Sequence, residues 1–182
     1  MTVPNLLTFV RILLTPLLAW FLLRRSMTAA FGVFFIAGLT DALDGLLARV
    51  LNQKSRLGAY VDPLADKLLL LTSFVLLWKV GEIPSWLIWV VLTRDFVILS
   101  GLLVLFFCQV HFEIRPLTSS KLTTLFQLGT VFSLLGKSIL KFPEVFYSVL
   151  FVITAGLSIW SGGRYVSNGL AMLKRHRAGN TA

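Results

Sequence analysis

The sequence predicts an all-α integral membrane protein, a bundle of about six transmembrane helices, and three observations predict it. The chain has 182 residues, of which 57% are hydrophobic and 14% charged, whereas soluble domains carry about 25% charged residues. Its mean hydropathy is +0.85. The apolar residues form continuous runs of roughly 20, the length a helix needs to cross a bilayer. A transmembrane β-barrel would alternate instead.

Six runs follow one another. The first, 6–23, begins at Leu6, contains Arg11 and ends at Arg24-Arg25-Ser26. It has no clean small-residue cleavage site, so it reads as a span rather than a signal peptide. The second, 28–50, stops at the polar stretch Leu51-Asn52-Gln53-Lys54-Ser55-Arg56. The third, 59–79, carries Pro63 in its first turn, where a missing N–H costs nothing. It ends at Lys79-Val80-Gly81-Glu82-Ile83-Pro84. Trp86 and Trp89 open the fourth, 84–108, and suit an interfacial aromatic belt or core packing. The fifth, 119–139, follows a break from Gln109 to Ser120, and Gly136-Lys137 to Pro143 separates it from the sixth, 145–172. Breaks this short make consecutive helices antiparallel neighbours. No repeat or low-complexity tract divides the chain, so residues 1–182 are expected to form a single membrane domain. Cys108, the one cysteine, has no partner for an intrachain disulfide and reads as a packing residue.

Net charge is +9, from 17 Lys and Arg against 8 acids. The bases lie mostly at span ends, without a basic stripe interleaved with exposed aromatics, which argues against a nucleic-acid partner. Attraction to anionic lipid headgroups accounts for them, at about 1 kcal/mol per residue near the surface. Six spans put both termini on one side. With that side cytoplasmic, Lys54, Arg56, Arg115, Lys121, Lys174, Arg175 and Arg177 lie inside, against Arg24, Arg25, Lys79, Lys137 and Lys141 outside. The bias is weakly positive-inside. The chain is expected to be integral to the cell (inner) membrane in that orientation.

Asp41, Asp44, Asp62 and Asp66, half of the eight acids, fall within 26 residues that join the second and third runs. Ionisable residues beside a bilayer are expensive and point to function. Asp41 and Asp44 lie about 60° apart around a helix and Asp62 and Asp66 about 40°, so each pair shares a face. If the two helices are antiparallel, both pairs meet at one membrane surface, on the cytoplasmic side. Four carboxylates so close repel unless cations hold them, and Mg²⁺ or Mn²⁺ is the natural guest for oxygen ligands. Two such ions can clamp a phosphoryl group. Gly45 removes a side chain where a ligand could approach the helix, and Gly58 does the same at the turn. Arg49, about one turn beyond Asp44, is placed to pair with a carboxylate or phosphate.

The pattern D-x-x-D-G-x-x-A-R, eight residues, then G-x-x-x-D-x-x-x-D resembles the signature of the CDP-alcohol phosphotransferase (CDP-alcohol phosphatidyltransferase) family. Asp41, Asp44, Gly45, Ala48, Arg49, Gly58, Asp62 and Asp66 match every fixed position. Pro4-Asn5-Leu6-Leu7-Thr8-Phe9-Val10-Arg11 is similar to the family's usual opening. The resemblance implies an integral membrane enzyme with six spans, active as a homodimer. It would displace CMP from CDP-diacylglycerol with an alcohol hydroxyl as nucleophile and two divalent cations as cofactors. Asp41, Asp44 and Asp62 would be metal ligands, and Asp66 would touch the second metal and act as general base. Asp41, Gly45, Ala48, Arg49 and Gly58 would line the CMP and pyrophosphate site.

Asp62-Pro63-Leu64-Ala65-Asp66-Lys67 resembles the branch that makes phosphatidylglycerophosphate or cardiolipin, with a phosphate-bearing acceptor: glycerol 3-phosphate in the first case, phosphatidylglycerol in the second. By the same resemblance Arg94, Arg115 and Lys121 would be the acceptor-side cations, with interfacial anchoring the other reading of Arg115 and Lys121. Phosphatidylglycerophosphate synthases usually show R-E, a second Arg eight residues after the first, and G-K-x-K-T-x-x-Q. This chain has Arg94-Asp95, Leu102, and Ser120-Lys121-Leu122-Thr123-Thr124-Leu125-Phe126-Gln127, and its R-D and S-K resemble the eukaryotic-type cardiolipin synthases. The reading leans to glycerol 3-phosphate, a common activity among short bacterial-looking members; the alternative is a cardiolipin synthase. An ion or proton transporter is a distant second class, because transporters place carboxylates near the midplane of broken, repeated helices. A purely structural set of caps would explain Asp62 at a helix N-terminus, but not four acids, two glycines and an arginine. A buried structural pair of Arg94 and Asp95 is the second reading beside a phosphate-binding role.

Overall fold

The computed structural model describes the backbone of residues 3–50, 58–107 and 118–179, and the side chains of 8–43, 62, 64–101, 118–169 and 171. Among the described residues every element is a helix: α1 Val3–Leu23, α2 Met27–Val50, α3 Gly58–Lys79, α4 Ser85–Phe107, α5 Thr118–Leu135, α6 Lys137–Leu140 and α7 Glu144–Gly179. Each of the six long helices covers most of one of the six apolar runs. Among the described residues one segment, Glu144–Gly169, is long and apolar enough to cross a membrane, and Thr8–Leu23 and Met27–Leu43 are shorter apolar stretches. Arg115, with Cys108 and His111, lies outside the described residues. So do the side chains of Asp44, Ala48 and Arg49, while their backbone, with that of Gly45 and Gly58, is helical.

The helix ends have local causes. At the end of α1, Ser26 N–H donates to the Phe21 carbonyl and Arg25 N–H to that of Leu22. Arg25 takes φ 57° to make this closure, the left-handed turn that satisfies the last carbonyls of a helix. The same pair of bonds closes α3, from Glu82 to Leu77 and from Gly81 to Trp78. There the left-handed residue is Gly81, φ 89°, which has no Cβ to strain. The fifth run breaks earlier than its apolar pattern predicts, at Gly136 rather than beyond 139. A Cβ on Gly136 would stand 2.8 Å from Leu140 Cδ1 and 3.0 Å from Phe31 Cε2. The chain turns there against α2, a tertiary approach that hydropathy does not register. The last helix runs on past 172 to Gly179, about 54 Å at 1.5 Å per residue.

By internal packing the chain forms two compact units. The first holds Met1–Pro84 and Leu128–Tyr147, the second Ser85–Gln127 and Ser148–Ala182. In the first, α1 packs on both α2 and α3. Its buried stripe is Thr8, Arg11, Leu18 and Leu22, spaced in threes, fours and sevens like a helix-pairing seam. Ala30, Val33, Phe34 and Ala37 of α2, and Ala65, Leu69, Phe74 and Leu77 of α3, form the facing core. This seam is apolar toward one end and polar at the other. In the second unit, Ser119, Thr123 and Gln127 are buried along one face of α5, and Thr154, Ser158 and Ser161 along one face of α7. Thr123 Oγ1 lies 2.8 Å from the Ser119 carbonyl and 3.1 Å from that of Leu157, so one hydroxyl links the two helices.

Candidate active site

The polar end of the first unit's seam gathers three of the four predicted carboxylates. Asp41 follows Ala37 by four residues on α2, while Asp62 and Asp66 are one turn apart on α3, so the periodicity that buries the core carries them onto the same flank. Each is met by α1. Thr8 Oγ1 donates a hydrogen bond to Asp62 Oδ1. Arg11 Nη1 donates to Asp66 Oδ1, and Arg11 Nη2 stands 2.8 Å from Asp41 Oδ1. Thr8 and Arg11 are three residues apart, so both face the same side of α1.

The burial is asymmetric. The Arg11 side chain is 1% exposed, whereas Asp41 and Asp66 are 54% and 44% exposed. The cation therefore backs the carboxylates from the core, and their outer sides face away from the protein interior. A buried guanidinium without partners would cost several kcal/mol; here Nη1 is hydrogen-bonded and Nη2 ion-paired, one to each helix, while Nε and Nη2 make no hydrogen bond. Thr15 Oγ1 donates to the Arg11 carbonyl at 3.0 Å, one turn further along the same seam.

Among the described residues no group of three or more His, Cys, Asp or Glu forms a ready metal cage. The donor chemistry nevertheless suits a hard divalent cation. The known contact of each carboxylate runs through Oδ1, and a carboxylate offers about four lone-pair sites. Mg²⁺ and Mn²⁺ commonly use a few carboxylates together with substrate phosphates instead of an all-protein cage. Asp44 belongs to the same helix face as Asp41, but its side chain lies outside the described residues.

The second unit holds two of the predicted acceptor-side cations. Arg94, on α4, is 6% exposed. Its Nη1 donates to Asp95 at 2.8 Å and its Nη2 to Ser120 at 2.7 Å and Ser161 at 3.3 Å. Gly162 leaves room for its stem, with Arg94 Cγ 3.6 Å from where a Cβ would be. Arg94 Nε and the hydroxyl of Ser119 are buried without a hydrogen-bond partner. Lys121 is exposed. Arg94 is thus both one half of an ion pair and a donor with capacity left.

Sequence reasoning missed Thr8 and Arg11 as site residues. It registered them as an opening motif, and Arg11 as a charge inside an apolar run. Ser120 and Ser161 were missed as well. The signal was present for Arg11 alone, since a charge inside an apolar stripe calls for a partner.

A family model described as CDP-alcohol phosphatidyltransferase matches residues 1–160. The chain is 34% identical, over 92% of its length, to a cardiolipin synthase (CMP-forming) of Rattus norvegicus, and 32% identical, again over 92%, to that of Homo sapiens. It spans only 61% and 62% of the length of those two proteins. It is also 32% identical to a CDP-diacylglycerol–glycerol-3-phosphate 3-phosphatidyltransferase of Aquifex aeolicus, over 95% of this chain and 98% of that one.

Proposed function

Because the chain belongs to the CDP-alcohol phosphatidyltransferase family, we propose that it is a membrane enzyme that transfers the phosphatidyl group of CDP-diacylglycerol to an acceptor hydroxyl and releases CMP. The observation that carries this reading is the convergence of Asp41, Asp62 and Asp66 on Thr8 and Arg11. In the transfer, the acceptor oxygen forms a bond to the phosphatidyl phosphorus as the pyrophosphate P–O bond breaks. The electron pair leaves with CMP, and the hydroxyl proton goes to Asp66 as general base. Asp41, Asp44, Asp62 and Asp66 would hold two divalent cations, Mg²⁺ or Mn²⁺, which would offset the charge of the donor's pyrophosphate. Asp41, Gly45, Ala48 and Gly58 would admit the CMP moiety, and Arg49 would pair with a phosphate.

The six long helices serve as six spans of a single membrane domain, with the carboxylates at the cytoplasmic surface. Large apolar side chains such as Phe9, Leu13, Phe35, Leu39, Val152 and Ile159 are exposed. Soluble monomers seldom leave so much apolar surface open, whereas lipid covers it.

For the acceptor we favour phosphatidylglycerol, making the product cardiolipin. A phosphomonoester dianion needs two cations in reach, and the charge of Arg94 is already offset by Asp95. Arg94 with Lys121 suits the single charge of a phosphodiester better. Glycerol 3-phosphate, the acceptor the sequence reading leans to, is the second reading; it is supported by the near full-length match to the Aquifex aeolicus transferase. Purified chain supplied with CDP-diacylglycerol and either acceptor separates the two. Cardiolipin formation is the expected result, and product from glycerol 3-phosphate alone would favour the second reading.

A further inference from the structure

We propose that Thr8 and Arg11 of α1 are positioning residues for the divalent-cation site: they fix the Asp41, Asp62 and Asp66 carboxylates in the orientation that binds the metal. The proposal rests on the cation-binding reading above and adds a helix to it. Three contacts carry it. Thr8 and Arg11 Nη1 hold Asp62 and Asp66 on α3 by hydrogen bonds, and Arg11 Nη2 pairs with Asp41 on α2 by charge, at 2.8 Å but without hydrogen-bond geometry. These pairs lie 54 and 55 residues apart for the α3 contacts, so they are tertiary devices rather than local turns.

Position decides between holding the carboxylates and competing for them. A cation that competed with a metal would sit on the open side of the cluster. Arg11 sits on the closed side, 1% exposed behind carboxylates that are 54% and 44% exposed. A guanidinium is a planar fork that can place one nitrogen in a hydrogen bond to Asp66 and another beside Asp41 as a charge partner, which an ammonium on a flexible stem does not reproduce. Asp side chains otherwise turn freely about χ2, and fixing them in advance removes that ordering from the cost of binding. Groups that orient metal ligands in this way typically contribute 10- to 100-fold in metal affinity.

The test is Mn²⁺ binding, followed by the EPR signal of free Mn²⁺, to the full chain in lipid nanodiscs without donor or acceptor. Four proteins are compared: wild type, Thr8→Val, Arg11→Lys and Arg11→Met. Thr8→Val is nearly isosteric and removes one hydroxyl, so it decides the matter even if Arg11→Met does not fold. The expected weakening is about tenfold for Thr8→Val and Arg11→Lys and up to about 100-fold for Arg11→Met. Wild-type affinity in Thr8→Val and Arg11→Lys would overturn the proposal, and so would tighter binding by Arg11→Met, which would make Arg11 a competitor. No Mn²⁺ binding by the wild type would instead overturn the cation reading on which the proposal rests.

Discussion

Replacing Asp95 with Asn removes one negative charge from beside Arg94 and keeps both the volume and an acceptor oxygen. The pair is close, 2.8 Å between Nη1 and Oδ1, and both side chains are largely buried. For a phosphate on the side of the guanidinium away from Asp95 we take a separation of about 6 Å, the width of the guanidinium plus one contact at each edge. At an effective dielectric of about 20, unit charges at that distance repel by about 3 kcal/mol. A phosphodiester monoanion feels that repulsion once, a phosphomonoester dianion about twice. Removing it therefore favours the dianion by up to about 3 kcal/mol, and ionic screening reduces this to roughly 1.4–3 kcal/mol, a factor of about ten to a hundred. The assay measures kcat/KM for glycerol 3-phosphate and for phosphatidylglycerol, at saturating CDP-diacylglycerol, in wild type and Asp95→Asn. The ratio should move toward glycerol 3-phosphate by that factor, with the donor KM little changed. A folded variant whose ratio stays within about twofold of wild type would refute the charge-offset argument for the acceptor.

Asp66→Asn should lower kcat by about 10²–10⁴-fold, the usual worth of a general base, while measurable donor binding remains because the amide oxygen can still ligate a cation weakly; wild-type turnover would remove Asp66 from that role. Gly136→Ala should lower stability by about 1 kcal/mol, because the added Cβ meets Leu140 at 2.8 Å and Phe31 at 3.0 Å, within the range for overpacked sites. A thermal melt in detergent that shows no loss would mean both side chains can move aside.

The helices were legible in the sequence because the feature that marks a bilayer span, a continuous apolar run, is also what a long helix displays. The shared face of Asp62 and Asp66 was legible because i,i+4 spacing fixes a face whatever the rest of the chain does; that Asp41 joins them is set by the packing of α2 and α3 on α1. Arg11 and Thr8 were not, because their partners Asp66 and Asp62 are more than fifty residues away and helix periodicity carries no information about which helix lies opposite. The same limit hid the environment of Arg94. The neighbouring Asp95 was visible as a candidate partner, but Ser120 and Ser161 come from two other helices. The early break at Gly136 has a related origin, since the close approach of Phe31 from α2 sets it.

The central claim is that this carboxylate cluster performs phosphatidyl transfer from a CDP-linked lipid. Its most direct test is CMP release by the purified chain in nanodiscs containing CDP-diacylglycerol and phosphatidylglycerol with Mg²⁺. One CMP is expected for each cardiolipin formed, with loss of both when chelator is in excess. Full turnover in excess chelator would contradict the metal-assisted reading. Absence of CMP with either acceptor, alongside cation uptake into vesicles reconstituted with the same protein, would contradict the transferase and point to a transporter.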